Sequence, residues 1–226
     1  SVLSKCIVLR RPNSYLYYLR MGKKSKKGAS DEDGLIYIKV GIFGGGGVGK
    51  SCLTLRFQNR KFVETYDPTI LDSFLNKTFM VDGVVRPLEI MDTAGQDEYK
   101  TMMDLYLKTS DGFFMVYDVT DRASFNEIST LVKSLKLARG IEDAKDLPPT
   151  IIIGNKCDLN ERRNISFEEG QSLAEQFGPN FAFEETSAKE DINIIKVFED
   201  IVRMILSHNR KLKKKKRKEN RNCSLL

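Results

Sequence analysis

The stretch Ile36-Tyr37-Ile38-Lys39-Val40-Gly41-Ile42-Phe43, running into Gly44-Gly45-Gly46-Gly47-Val48-Gly49-Lys50-Ser51, decides the fold. Residues 36–43 alternate in apolar character, as a strand does. The next eight match the spacing G-x-x-x-x-G-K-[ST], with Gly44, Gly49, Lys50 and Ser51 at the fixed positions. A helical pattern follows from Lys50 to Phe57. Strand, glycine turn and helix form a phosphate cradle, because glycines let successive N–H groups curl around an anion. The helix N-terminus adds partial positive charge. Lys50 is placed for the β- and γ-phosphates and the Ser51 hydroxyl for Mg²⁺. The stretch names a nucleoside triphosphate. It leaves open the base, and whether hydrolysis drives a motor, a transfer or a switch.

Working outward, strand-like and helical runs alternate to the end of the chain. Strands are expected at 36–43, 73–81, 84–91, 112–119, 150–154 and 181–186. Asp82-Gly83 between the second and third is a two-residue hairpin signal, so one antiparallel pair is expected. Gly112–Val119 is apolar throughout, as in a strand buried on both faces. Helices are expected at 50–59, from the 92–97 loop to Thr109, from a capping box at Ser124-x-x-Glu127, from a second at Ser166-x-x-Glu169 to Phe177, and over Asp191–Ser207. In the last, Ile194, Phe198, Ile201 and Ile205 form one buried stripe. The fold class is α/β: a six-stranded, mostly parallel sheet with one antiparallel hairpin pair and helices on both faces. Ligands in such folds bind at the carboxyl ends of the strands.

Charge divides the 226 residues into three. Residues 1–34 carry eight Lys/Arg against three Asp/Glu, 35–209 carry twenty against twenty-seven, and 210–226 carry nine against one. An acidic body with basic ends argues against a nucleic-acid-binding face and for tails that seek an anionic surface. The basic leader, 1–34, reads as disordered; within it 1–30 faintly resembles a transit peptide, and the favoured reading takes Met21 as the true start of the protein, with 1–20 an upstream extension or a gene-model error. The four cysteines form no C-x-x-C pair, which argues against a disulfide framework or a zinc site. Cys52 and Cys157 read as small buried hydrophobes, and His208, the sole histidine, as a solvated residue. No apolar run approaches the ~20 residues of a transmembrane helix.

Three strand ends carry further polar groups. Asp92-Thr93-Ala94-Gly95-Gln96 follows the third strand, with Asp92 on the Mg²⁺ side, Gly95 allowing close approach to a terminal phosphate and Gln96 orienting a water. Asn155-Lys156-Cys157-Asp158 follows the fifth; a carboxylate there accepts from two guanine donors that adenine lacks. Thr186-Ser187-Ala188-Lys189 follows the sixth. An adenine-specific ATPase or kinase remains an alternative that Asp158 opposes.

From about Ile38 to Ser207 the chain resembles the Ras-like small GTPases, on GGGGVGKS at 44–51, YDPTI at 66–70, DTAGQDEY at 92–99, NKCDL at 155–159 and ETSAK at 185–189. The 27 residues 160–186 are too few for the helical insert of the Rho type, so the Ras subfamily is the closer resemblance. The resemblance implies a GTP-hydrolysing molecular switch cycling between GTP and GDP with Mg²⁺. It implies that Gly46, Gly47, Val48, Gly49 and Lys50 hold phosphate, and that Ser51, Thr69 and, through water, Asp92 serve the metal. Lys50, Thr69, Gly95 and Gln96 are the implied catalytic set, with Thr69 and Gly95 sensing the γ-phosphate and Gln96 positioning the attacking water. Phe62, Asn155, Lys156, Asp158 and the Ala188 N–H would hold guanine. Cys52, Tyr66, Ser187 and Lys189 join the nucleotide contacts as members of the matching motifs. Gly46 leaves room for an arginine finger.

The implied partners are a GTPase-activating protein, a guanine-nucleotide exchange factor and effectors meeting 66–74, where Leu71 departs from the usual Glu and Phe74 from Tyr. The loop at 140–147 is slightly long and has no assigned role. Eight of the nine residues 210–218 are basic, and Cys223-Ser224-Leu225-Leu226 fits a prenylation box whose final Leu favours geranylgeranyl. One lipid anchors weakly and the basic run supplies a second signal. The reading is a lipid-anchored protein on the cytoplasmic face of the plasma membrane, without nucleic-acid partners.

Overall fold

The computed structural model describes residues 37–59, 73–92 and 100–223. The basic leader lies outside the described residues. Along the chain the elements are β1 (Ile38–Phe43), α1 (Lys50–Asn59), β2 (Ser73–Val81), β3 (Val84–Asp92), α2 (Lys100–Thr109), β4 (Gly112–Asp118), α3 (Arg122–Arg139), β5 (Thr150–Asn155), α4 (Phe167–Phe177), β6 (Phe181–Thr186) and α5 (Ile194–Cys223). The six strands form one sheet in the order β2-β3-β1-β4-β5-β6. Only β2 and β3 run antiparallel, in register from Ser73↔Asp92 to Val81↔Val84. Asp82 and Gly83 join them with φ of 51° and 75°, the left-handed pair that a two-residue hairpin matched to strand twist requires. The other pairings are parallel, so a helix covers each crossover.

The alternation within β4 sorts the core onto two faces. Phe114 and Val116 join Leu53 and Phe57 of α1 and the α5 stripe of Ile194, Phe198, Ile201 and Ile205. Phe113, Met115 and Tyr117 join Leu107 of α2, Ile128, Val132 and Leu135 of α3, and Ala174 of α4. Phe57 stacks on Phe198 with ring centroids 3.7 Å apart, which ties the helix behind the glycine loop to the last helix. Truncating a Phe buried as completely as Phe198 costs ~3–5 kcal/mol. Gly112 sits where a Cβ would lie 2.7 Å from Ile205 Cδ1, so this glycine sets how closely β4 approaches α5.

Four expectations change. Helix α3 begins at Arg122 with Asp121 as its N-cap, whose carboxylate accepts from the Ala123 N–H. The supposed cap Ser124 lies inside the first turn, donating to Asp121 O at 2.8 Å and accepting from the Asp118 N–H at 3.0 Å. The Ser166–Glu169 capping box forms as read. Helix α5 starts at Ile194 rather than Asp191, because Asp191 and Asn193 have φ of 58° and 57° and Ser187 pairs with Ile192. At its other end α5 continues as helix through the basic run to Cys223, past the expected end at Ser207. Cys52, Cys157 and His208 are half-buried rather than buried or solvated. Burial raises both thiols, and burial, with Lys211, lowers the imidazole. Among the described residues no helix is long and apolar enough to cross a membrane.

Candidate functional site

The glycine loop, 44–49, leaves the end of β1 and meets the ends of β4 and β5. Gly44 has φ 149° and a Cβ there would lie 2.1 Å from Val116 O; Gly49 has φ 97° and its Cβ would lie 2.4 Å from Asn155 Nδ2. Backbone conformation and contact both demand glycine at these two positions. Lys50 opens α1 and folds its ammonium back over the loop, donating to Gly44 O and Gly45 O at 2.8 Å each. Burial lowers the Lys50 pKa, with Asp92 and Glu127 opposing that shift through their charge. Ser51 is the second residue of α1. Asp92 ends β3 opposite Ile42 of β1 and is buried. The Ser51 hydroxyl and the Asp92 carboxylate are the hard oxygen donors that Mg²⁺ takes, beside a phosphate cradle, so this donor set fits the metal.

The second half of the site comes from β5 and β6. Asn155, the last residue of β5, is 1% exposed. Its Nδ2 donates to Val48 O at 2.8 Å and its Oδ1 accepts from Thr186 Oγ1 at 3.0 Å. The side chain is thereby fixed on both sides, a bridge from the glycine loop to the end of β6. Lys156 follows with φ 64°, an uncommon conformation for a non-glycine residue that turns the chain sharply off the strand. Its ammonium donates to Gly47 O at 2.8 Å. Asp158 Oδ1 accepts from Ser187 Oγ at 2.6 Å, and Ser187 Oγ accepts in turn from the Glu190 N–H. Thus Lys50 at the start of α1, Asn155 at the end of β5, and Lys156, Asp158 and Ser187 on the loops that follow β5 and β6 adjoin one another at the carboxyl edge of the sheet. Phe62, Tyr66, Thr69, Gly95 and Gln96 lie outside the described residues, as does the stretch 66–72.

Three contributors escaped the sequence reading. Asp118 closes β4 opposite Asn155 and pairs with the Lys156 ammonium at 2.7 Å. Burial works against its charge, but Lys156 and two Thr120 donors outweigh that and hold the carboxyl below its ordinary value. Thr186 was read only as a motif member, although its hydroxyl orients Asn155. Arg56 of α1 donates from Nε to Ala188 O at 2.7 Å and from its terminal nitrogen to Lys189 O, fastening the last loop to the phosphate-side helix. Asp118 had a sequence signal: like Asp92, it is an acid closing an apolar strand at its carboxyl end. For Arg56, 132 residues from its partner, no local signal exists.

A family model described as the Ras family matches residues 39–207. The chain belongs to the Ras family. A relative from Laccaria bicolor named "Ras-like protein" is 45% identical over 174 residues, which span 77% of this chain and 80% of the relative. This Ras-family protein is a GTPase, hydrolysing GTP to GDP and phosphate, and a GTP-binding switch. Activating proteins, exchange factors and effectors are its general classes of partner. Its sheet order and single antiparallel pair are those of the Ras-type fold.

Proposed function

We propose that this GTPase is a lipid-anchored Ras-type switch whose nucleotide lies across the two joined loops. The observation that carries the reading is the pair of long-range bonds from Asn155 Nδ2 to Val48 O and from Lys156 Nζ to Gly47 O. They hold a base-binding loop and a phosphate-binding loop at a fixed separation, as one ligand with a base at one end and phosphates at the other requires. Asp158 accepts from the guanine N1–H and exocyclic amine, and its contact to Ser187 orients the carboxylate for that task. Lys156 covers one face of the base and Phe62 packs against its edge, while the Ala188 N–H meets guanine O6.

At the other end, Lys50 and the N–H groups of 46–51 hold the β- and γ-phosphates. Gln96 positions a water on the γ-phosphorus; the new P–O bond forms as the bond to the β–γ bridging oxygen breaks, leaving GDP and inorganic phosphate. Ser51 and Thr69 would hold Mg²⁺, with Asp92 serving it through water. When bound, the metal neutralises charge developing on the bridging and γ-oxygens. Thr69 and Gly95 report the γ-phosphate through their N–H groups, so the 66–74 surface differs between the two nucleotide states. β2, which starts at Ser73, is an edge strand, suited to pairing with an effector strand. Leu71 removes an acidic contact from that surface and shifts its preference away from strongly basic partners.

In the sequence as it stands, Cys223 opens a prenylation box directly behind a basic run. A lipid on Cys223 and the Lys/Arg residues of 210–218 supply the two signals that stable attachment to an anionic inner leaflet needs. Single-turnover GTP hydrolysis with and without a Ras-type activating protein tests the switch. Slow hydrolysis accelerated by the activator, and lost in Gln96→Leu, is expected; barely detectable hydrolysis in both arms would overturn the switch in favour of a GTP-bound scaffold. Cell fractionation of Cys223→Ser tests the anchor, which fails if the variant stays on membranes.

A further inference from the structure

Among the side chains at the carboxyl edge of the sheet, Asp118 has no place in the nucleotide chemistry proposed above, yet it is 8% exposed and charged. Its carboxylate is fully committed to protein groups. Oδ1 accepts from the Thr120 N–H at 2.8 Å and from the Thr120 hydroxyl at 2.7 Å, which aims Oδ2 at the Lys156 ammonium 2.7 Å away. The Asp118 N–H donates to Ser124 Oγ, so the strand end itself is pinned by the first turn of α3. Lys156 is therefore gripped on two sides, by an anion on β4 and by the carbonyl of Gly47 on the glycine loop. A four-carbon side chain with a free ammonium samples many rotamers and loses that freedom when it orders. Here the freedom is already spent by the fold, in a residue whose backbone is also set at φ 64°.

We infer that Asp118 is a positioning residue for guanine nucleotide: by clamping Lys156 it stretches that side chain along the base site and fixes the glycine loop to the base loop, and so sets how long the nucleotide stays. Asp118 touches no nucleotide atom; it acts through Lys156. Thr120 belongs to the same device, since its two donors orient the carboxylate. The inference rests on the proposed assignment of the 155–158 loop to guanine.

The test is stopped-flow release of a fluorescent GDP analogue from full-length protein in Mg²⁺. The panel is wild type, Asp118→Asn, Lys156→Met and the double variant, with Asp118→Ala alongside. Asp118→Asn keeps the shape and the Thr120 contacts but removes the charge. It is expected to release nucleotide about tenfold faster, the size of one charge-assisted hydrogen bond, with the association rate unchanged. In the Lys156→Met background the same change is expected to have no further effect, because the ammonium it acts on is gone. A merely structural Asp118 would instead add its effect to that of Lys156→Met. Wild-type release rates in Asp118→Asn, slower release from a liberated lysine, or additivity in the double variant each overturn the inference. Failure of wild type itself to retain the GDP analogue would overturn the guanine assignment instead, so the two failures are distinguishable. If Asp118→Ala melts at a lower temperature while Asp118→Asn does not, the kinetic comparison is carried by the isosteric variant.

Discussion

The two ends of the proposed nucleotide site are built differently. The phosphate end is local: Lys50 reaches back to Gly44 and Gly45, six and five residues away, and a single stretch, 44–51, makes the cradle. The base end is assembled from distant parts of the chain. Asn155 bonds to Val48 across 107 residues, Thr186 to Asn155 across 31, Ser187 to Asp158 across 29, and Arg56 to Ala188 across 132. A local cradle tolerates change in the remote fold and depends on its own glycines. An assembled one depends on the glycine loop, α1, β5 and β6 keeping their registry. In the proposed site, affinity for phosphate therefore belongs to a motif, and selectivity for the base to the sheet.

The largest expected effect separates the ends. Asp158→Asn keeps the phosphate cradle and removes the acceptor for the guanine donors; GDP affinity is expected to fall by about a thousandfold, as when a polar site loses its partner. Competition between GDP and a xanthine diphosphate measures it, and an unchanged ranking breaks the division of labour. Gly49→Ala attacks the point where the ends touch. Its Cβ would lie 2.4 Å from Asn155 Nδ2 at φ 97°, so a stability loss of ~3 kcal/mol is expected. Thermal melting of the GDP-loaded protein gives the value, and a loss under ~1 kcal/mol would show that the loops separate easily.

Thr186→Val removes only the hydroxyl that orients Asn155. Its expected cost is ~1 kcal/mol, read as GDP release about fivefold faster with the GTP hydrolysis step unchanged. An effect of the same size runs the other way. Tyr117 lies beneath the base end, opposite Gly154 of β5, fully buried, and its hydroxyl has no hydrogen-bond partner among the described residues. Tyr117→Phe is expected to stabilise the protein by ~1 kcal/mol by deleting an unsatisfied polar group, checked by denaturant melting. Destabilisation instead would reveal a contact that the hydroxyl makes.

Much of this architecture was legible beforehand. Strand alternation, the Asp82-Gly83 turn and the α5 stripe reflect local periodicity, and local periodicity survives in the sequence. Misreadings clustered where two local signals competed. Ser124-x-x-Glu127 has the form of a capping box, but Asp121 caps one turn earlier and Ser124 is drawn inward to the Asp118 N–H. Asp191 looked like a helix start until the Ser187–Ile192 pairing held it outside. The last helix was expected to stop at Ser207, just ahead of the basic run, where like charges repel, yet α5 extends to Cys223.

By itself the sequence determined the phosphate loop, the order of strands and helices and the family, because each is written in contiguous residues whose spacing carries the chemistry. Only the tertiary structure decided that Asp118 grips Lys156, that Thr186 orients Asn155 and that Arg56 fastens the last loop. Those pairs join residues far apart in sequence, and a side chain's partner is fixed by which strand ends the sheet brings side by side, a quantity no local pattern encodes.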